Sequence, residues 1–335
     1  MSKAVFFCVG TGGHVLPVLN IIKTISKKGI NKSDMLVVTD KRGEQYFSDS
    51  SLEIITYPFV SSTKGIFGYL IKMLKIVISV FVIFKRLRKL NISFIFTTGA
   101  YIAPVAALLS ILLRTKFYIQ EQNIFAGLGN KISAFCADSI FTSFPNTKNI
   151  SQKKVDFSGP VLNMDVEKIR KNKNSNLTIG FQGGSQGSQE INNLAIKFSN
   201  DPTYENIEVI HIIGKSNKAP IINRQNYVPH SFINNMENYY SSIDLQVSRA
   251  GGGILEAAFL NIPQLLVPYK HGTTSQHQSL NAQYLEENGA AKIITSYEEL
   301  KTMLNLYLDD DFSKLEFNIK AGNDHISKVL INEIN

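Results

Sequence analysis

The chain has 335 residues, more than one hydrophobic core usually carries, and at ~150 residues per domain it is long enough for two. Hydrophobic residues make up 44% and charged ones 19%, which excludes wholesale disorder and a polytopic membrane protein. Lys and Arg outnumber Asp and Glu by 35 to 27, and the net +8 favours anionic partners such as nucleotides, phosphates, nucleic acid or acidic lipid without choosing among them.

The opening MSKAVFFCVGTGG is a short apolar run ending in glycines. It lacks the longer apolar region and cleavage site of a signal peptide and reads as the first buried strand, followed by a helix from about Pro17. Cys8 here and Cys136 later lie in apolar contexts without ligand spacing, so reduced buried thiols and a cytosolic setting are expected. The strand MLVVT follows. Ile66 to Phe84, IFGYLIKMLKIVISVFVIF, approaches the ~20 residues of a membrane span. Lys72 and Lys75 interrupt it, with Lys64 before and Lys85, Arg86, Arg88 and Lys89 after. Two readings stand, an amphipathic helix lying in a lipid interface or a core helix with a basic end, and a true transmembrane span is disfavoured because the sequence on both sides continues as ordinary α/β pattern.

Next come FIFTTG with a helix from about Pro104, then KFYIQ and SIFTSF. Strands alternating with helical stretches imply βαβ units and a mostly parallel sheet over residues 1–162. The polar stretch Met164 to Asn176 reads as a linker. The pattern resumes in LTIGFQGG, VIHIIG, LQVSRAGG and QLLVPY, giving a second domain over 163–335 whose last helix has the option of packing back on the first. The expected class is α/β, two Rossmann-like domains with parallel sheets facing across a cleft, ligands lying beyond the carboxyl ends of the strands.

Four strand ends carry glycines where a chain must turn sharply and let a ligand approach its backbone. In Gly10-Thr11-Gly12-Gly13-His14, free N–H groups favour an anion, and His14 is either a structural histidine or a proton acceptor. Thr98-Gly99-Ala100-Tyr101 reads as a βα turn within reach of an acceptor. Gln120-Glu121-Gln122-Asn123 puts four polar side chains at a strand end, suited to a hydroxyl-rich ligand or to a solvated loop. Gln182-Gly183-Gly184-Ser185-Gln186-Gly187 resembles a phosphate cradle without a Walker lysine, so NTP hydrolysis is not indicated. Arg249-Ala250-Gly251-Gly252-Gly253 opens a helix with Glu256 placed either for ribose hydroxyls or for the helix dipole. Gln278 and Asn281, three apart, share a helix face suited to sugar hydroxyls. Asp309-Asp310-Asp311 reads as a solvated turn rather than a metal site.

GTGGHVLP, QEQNIFAG, GGSQG, SRAGGGILEA and HQSLNA, in this order from about Val5 to Ile294, together resemble the MurG family of GT-B N-acetylglucosaminyltransferases. The resemblance implies a UDP-N-acetylglucosamine donor held in the second domain, with Ser185, Gln186 and Gly252 at the diphosphate, Glu256 at the ribose, Phe232 and Ile233 at the uracil and Gln278 at the sugar. In the first domain it implies Thr11, Gly12, Gly13, Tyr101 and Asn123 at the acceptor and the reaction centre, with His14 as general base. It further implies transfer to the 4-hydroxyl of undecaprenyl-pyrophosphoryl-MurNAc-peptide, the lipid I to lipid II step of peptidoglycan synthesis. No metal or other cofactor and no nucleic acid are implied, and the expected place is an anionic membrane surface on the cytoplasmic face. The chain departs from the family at Leu162, where an arginine is common; Arg249 or a lysine is the candidate replacement. Gln120 stands for a histidine and Val9 for a glycine. Rival readings are another GT-B transferase with a different glycolipid acceptor, a UDP-sugar 2-epimerase, or a nucleotide-sugar-binding protein without catalysis. A nicotinamide dehydrogenase is disfavoured by the lack of GxGxxG with a downstream acid.

Overall fold

The computed structural model describes residues 2–10, 12–48, 50–57, 66–163, 169, 176–215, 217–233, 235–269, 275–309 and 317–334, and of residues 66–76 the helical backbone alone. The chain divides into two compact units, Met1–Val161 with Ala321–Asn335, and Leu162–Lys320. Most of the expected linker lies outside the described residues.

The first unit contains β1 (Lys3–Phe7), α1 (Gly12–Lys27), β2 (Met35–Thr39), α2 (Lys41–Glu44), β3 (Glu53–Thr56), α3 (Ile66–Leu87), β4 (Ile92–Thr97), α4 (Ala103–Leu113), β5 (Lys116–Glu121), α5 (Leu128–Ser133), β6 (Ser139–Thr142) and β7 (Val155–Phe157). Its sheet has the order β3-β2-β1-β4-β5-β6-β7, and the strands pair in parallel. Both faces are covered, which is why the strands read as near-continuous apolar runs. Side chains alternate between the faces. Val5 and Phe7 pack with Val105 and Leu109 of α4 and Ile83 of α3. Ala4 and Phe6 pack with Val18 and Ile21 of α1 on the other face.

The second unit contains β8 (Thr178–Gln182), α6 (Gln189–Ser199), β9 (Glu208–Ile212), β10 (Tyr227–His230), α7 (Met236–Ser242), β11 (Leu245–Ser248), α8 (Gly253–Phe259), β12 (Gln264–Leu266), α9 (Ser275–Glu287), β13 (Lys292–Ile293) and α10 (Tyr297–Leu308). Its order is β10-β9-β8-β11-β12-β13, again parallel. The last helix, α11 (Asn323–Asn332), belongs to the first unit. Ile326 and Leu330 bury there beside α1, and the Tyr118 hydroxyl donates to Glu333 at 2.7 Å.

Two details differ from the sequence reading. Helix α1 starts at Gly12 rather than near Pro17, because the first turn of a helix needs no intrahelical acceptor for its N–H groups and the glycine loop itself supplies that turn. The short strands β3, β7, β10 and β13 add edges that carry too little apolar sequence to be recognised alone. In both sheets the strand order reverses between two central strands, β1 and β4 in the first unit and β8 and β11 in the second. Ligands of such sheets bind at that reversal, beyond the carboxyl ends. All four of those strands end in one of the glycine-containing segments described above.

Candidate active site

In the first unit, Gly10 has φ +92, and its N–H donates to Asp40 Oδ1 at 3.0 Å. Asp40, fully buried at the end of β2, also accepts from the Gly43 N–H, from Arg42 and from the Tyr101 hydroxyl at 3.0 Å. Burial alone would raise its pKa, but the N–H groups of Gly10 and Gly43, with Arg42 and Tyr101, outweigh it and hold the carboxyl below the usual range. Tyr101, expected at the acceptor, is therefore also a strut of the first glycine loop. Replacing Asp40 with asparagine is expected to cost about 2 kcal/mol in urea unfolding, since the Gly10 and Gly43 N–H groups lose a charged acceptor, while Arg42, about half exposed, can turn to water. The lowered pKa means that this stabilisation is present above about pH 4 and is lost as pH falls through the folded value, so the variant should show a shallower acid loss.

His14 lies in the first turn of α1, half-buried. Its Nδ1 is 2.9 Å from the Thr98 carbonyl oxygen, and the Thr98 hydroxyl donates to the His14 carbonyl at 2.6 Å. A carbonyl only accepts, so Nδ1 carries the proton and Nε2 of the neutral ring is left as a proton acceptor. The turn after β4, read from the sequence as a simple connection, is thus the group that orients His14. Gly12 is buried, and a Cβ at this position would come within 3.1 Å of Leu16, whereas Gly13 is exposed with open space beside it. Thr11 lies outside the described residues.

The Gln120 to Asn123 segment differs from the expected row of ligand-facing amides. Gln120 and Glu121 are buried. Glu121 accepts from the N–H and side chain of Asn123 and from the Gly127 N–H and Asn130, at 2.8 to 3.1 Å. A carboxylate with so many local donors fixes the loop, and Asn123, half-buried, is positioned by it.

In the second unit, Gly183 and Gly187 are both so close to neighbouring backbone that a side chain would collide, with Ser188 and with Ile213 respectively. Gly184 and Gly187 have φ +83 and +78. The Ser185 carbonyl accepts from the Lys215 N–H at 3.4 Å and the Gln186 carbonyl from Asn217 at 3.1 Å. Lys215 itself places its Nζ 4.3 Å from the centroid of Phe232, a cation beside the expected uracil segment that the sequence reading missed, although Gly-Lys at a strand end was its signal. Ile233 is half-buried against the cluster of Tyr239, Tyr240 and Ile262.

Gly252 is exposed and caps α8, and Glu256 is half-buried within its first turn. Glu256 Oε1 accepts from the Asn163 N–H and Oε2 from the Tyr240 hydroxyl, both at 3.0 Å. Burial raises its pKa to about 7, despite these two donors. Each oxygen retains lone-pair capacity for a further hydroxyl. Gln278 accepts from the Tyr269 N–H at 3.0 Å, which leaves its NH₂ as the donor to a ligand. Asn281, read as part of the same amide face, is instead buried and donates to the Ala250 carbonyl at 3.3 Å.

Arg249 does not replace the family arginine. Its guanidinium pairs with Glu190 at 2.9 Å and donates to Ser188 and to the Val267 carbonyl, with the side chain 10% exposed. It ties the two glycine loops together and is spent on the protein. Leu162 is 1% exposed, an apolar core contact. Asp310 and Asp311 lie outside the described residues; among the described ones no group of His, Cys, Asp and Glu is arranged to hold a metal.

Two parallel α/β units whose glycine loops flank the strand-order reversals make the GT-B fold. The family description "Glycosyltransferase family 28 N-terminal domain" matches residues 4–142 and "Glycosyltransferase family 28 C-terminal domain" residues 178–332. The chain belongs to this family and, within it, to the MurG family. A relative from Thermosipho africanus, named UDP-N-acetylglucosamine--N-acetylmuramyl-(pentapeptide) pyrophosphoryl-undecaprenol N-acetylglucosamine transferase, is 30% identical over 86% of this chain and 85% of its own. One of the same name from Sulfurihydrogenibium sp. is 27% identical over 94% and 91%. Among solved structures, Acinetobacter baumannii MurG covers 99% of this chain and 100% of its own with TM-score 0.73 and 23% identity. The UDP-GlcNAc 2-epimerase of Neisseria meningitidis, bound to UDP-GlcNAc, shares the fold at TM-score 0.67 and 12% identity over 99% of each chain.

Proposed function

We propose that the protein transfers N-acetylglucosamine from UDP-N-acetylglucosamine, with inversion, to the 4-hydroxyl of undecaprenyl-pyrophosphoryl-MurNAc-peptide. The reading is carried by a chain-long likeness to relatives named for this transfer, reaching 30% identity. His14 supports it. With Nδ1 held by the Thr98 carbonyl, Nε2 accepts the proton of the 4-hydroxyl as that oxygen attacks the anomeric carbon. The bond to the diphosphate breaks, UDP leaves with the electron pair, and loop N–H groups at residues 183–187 and 251–253 stabilise the charge that develops. The second unit takes the donor, Ser185 and Gln186 at the phosphates, Phe232 and Ile233 at the base, Glu256 at the ribose and Gln278 at the sugar. The first takes the acceptor, near Gly12, Gly13, Tyr101 and Asn123.

The acceptor's lipid requires a membrane-facing surface. Among the described residues no helix is long and apolar enough to cross a membrane. Val77, Ile78, Phe81 and Val82 of α3, Leu108, Ile111 and Leu112 of α4 and Leu128 and Ile132 of α5 are nonetheless exposed, and Phe135 is 83% exposed. Helix α4 packs against both α3 and α5, so these exposed side chains lie on adjacent helices. The side chains of Lys72 and Lys75 lie outside the described residues, but Lys85, Arg88, Lys89, Arg114 and Lys131 are exposed on the same three helices and their ends. An apolar face edged by basic residues suits peripheral attachment to an anionic bilayer, on the cytoplasmic side. Replacing Phe81 and Ile111 together with serine is expected to weaken vesicle binding about tenfold or more, at unchanged solution binding of the donor.

The test is UDP release from UDP-N-acetylglucosamine with and without a lipid I analogue. Release that depends on the acceptor supports the transfer. Donor binding without release under either condition moves the chain to another acceptor or to a binding role.

A further inference from the structure

We propose that Asn192 and His211 are positioning residues for donor binding, which through the Ile213 carbonyl hold the loop of residues 183–187 in the shape that receives a diphosphate. The proposal rests on the reading of that loop as the diphosphate site and names what sets its geometry.

The loop closes on itself through the Gly187 N–H, which donates to the Gly184 carbonyl at 2.9 Å. The rest of it leans on the turn that follows β9. A Cβ on Gly187 would collide with the Ile213 carbonyl, and one on Gly214 with the backbone of Gln186 and Gly187. The Ser185 carbonyl accepts from the Lys215 N–H, and the Gln186 carbonyl from Asn217. In a trans peptide the C=O and N–H point opposite ways. Drawing the Ser185 carbonyl onto this turn therefore directs the Gln186 N–H away from it, and the place of the turn sets the aim of the loop.

Ile213 is fixed from behind. Its N–H donates to the His230 carbonyl at 2.9 Å, and its carbonyl accepts from Asn217 at 3.0 Å and from Asn192 at 3.2 Å. Asn192, buried in the first turn of α6, places Oδ1 3.0 Å from His211 Nε2, and His211 Nδ1 lies 2.8 Å from the Tyr227 hydroxyl. A carbonyl only accepts, so Asn192 turns its NH₂ to Ile213 and its oxygen to His211. Nε2 then carries the proton and Nδ1 accepts from Tyr227. This tautomer requires a neutral ring, which burial secures. Without the donor at His211, the Asn192 amide gains a second orientation, with its oxygen facing the Ile213 oxygen. A buried histidine with two partners is ordinary core packing by itself. The relay ends, however, on a carbonyl in contact with the phosphate loop, which packing does not require.

The experiment is calorimetric titration of the full chain with UDP and with uridine, which share base and ribose and differ in the diphosphate. Asn192→Ala is expected to lose about tenfold in UDP affinity, the worth of one or two hydrogen bonds, with uridine affinity unchanged within about twofold. Leu194→Ala, on the same helix and packed in the core, is the comparison for a purely structural loss. It should melt lower but keep the wild-type ratio of UDP to uridine affinity. Equal losses for both ligands in Asn192→Ala, or the same fall in ratio in Leu194→Ala, overturn the proposal. His211→Phe removes the donor to Asn192 and should lower the ratio about threefold or more. His211→Gln, whose amide can donate in place of Nε2, should keep it. This pair carries the test if Asn192→Ala does not fold, and an equal ratio in the two overturns the assignment. A wild type that binds UDP no more tightly than uridine removes the diphosphate reading of the loop itself, and this proposal with it.

Discussion

His14→Ala is expected to lower kcat/KM for acceptor-dependent UDP release by about 10²-fold or more, the range for removal of a positioned general base. The expectation follows from one hydrogen bond. The Thr98 carbonyl fixes the proton on Nδ1, so the ring presents Nε2 as an acceptor. Because the same bond helps to anchor the first turn of α1, a drop in rate alone conflates a lost base with a loosened helix. His14→Gln separates the two effects, since its amide can still donate to the Thr98 carbonyl but has no basic nitrogen. The glutamine variant should melt near the wild type and yet be as slow as the alanine variant, with donor affinity unchanged in both. Recovery of rate in the glutamine variant would show that His14 only holds the helix.

The second large effect concerns Glu256. Replacing it with glutamine should weaken UDP-N-acetylglucosamine binding about 10- to 100-fold, the worth of hydrogen bonds from ribose hydroxyls to a charged acceptor. Its pKa, raised to about 7 by burial, adds a pH signature. The folded, ligand-free protein binds a proton here that the unfolded chain has lost. The associated stability is present below about pH 4.5 and disappears as pH rises through about 7. Donor binding runs the other way. The ionised carboxylate is the better acceptor, so affinity should rise from pH 6 to pH 8, approaching tenfold, with a proton released on binding. Calorimetric titration at the two pH values checks this, the sugar nucleotide having no group of its own that titrates in the interval. A pH dependence that persists in Glu256→Gln would place the titrating group elsewhere.

The glycine loops and the parallel sheets were legible in the sequence because both are local. Glycine is favoured where a backbone takes positive φ and required where it also meets another backbone within contact distance, as at Gly187, and a buried parallel strand is mostly apolar. The family could be named from the same loops. Less visible was what each polar residue near them is used for. Glu121 and Glu256 both lie beside strand ends, but the first is consumed by four donors from Asn123, Gly127 and Asn130, whereas the second keeps acceptor capacity. Asp40, 30 residues beyond the loop it holds, gave only the weak signal of an acid ending the second strand.

Histidine shows the division plainly. The sequence determined that His14 follows a glycine turn and that His211 lies in an apolar strand. Only the tertiary structure decided their chemistry. His211, buried between the Tyr227 hydroxyl and Asn192, is pushed down to about 4 by loss of water and stays neutral as a core contact. At His14, a carbonyl from the turn after β4, 84 residues away, selects the tautomer. Residue order sets which groups the chain owns and which turns it makes; burial and hydrogen-bond partners come from packing between distant segments, and these decide whether a group holds the fold or moves a proton.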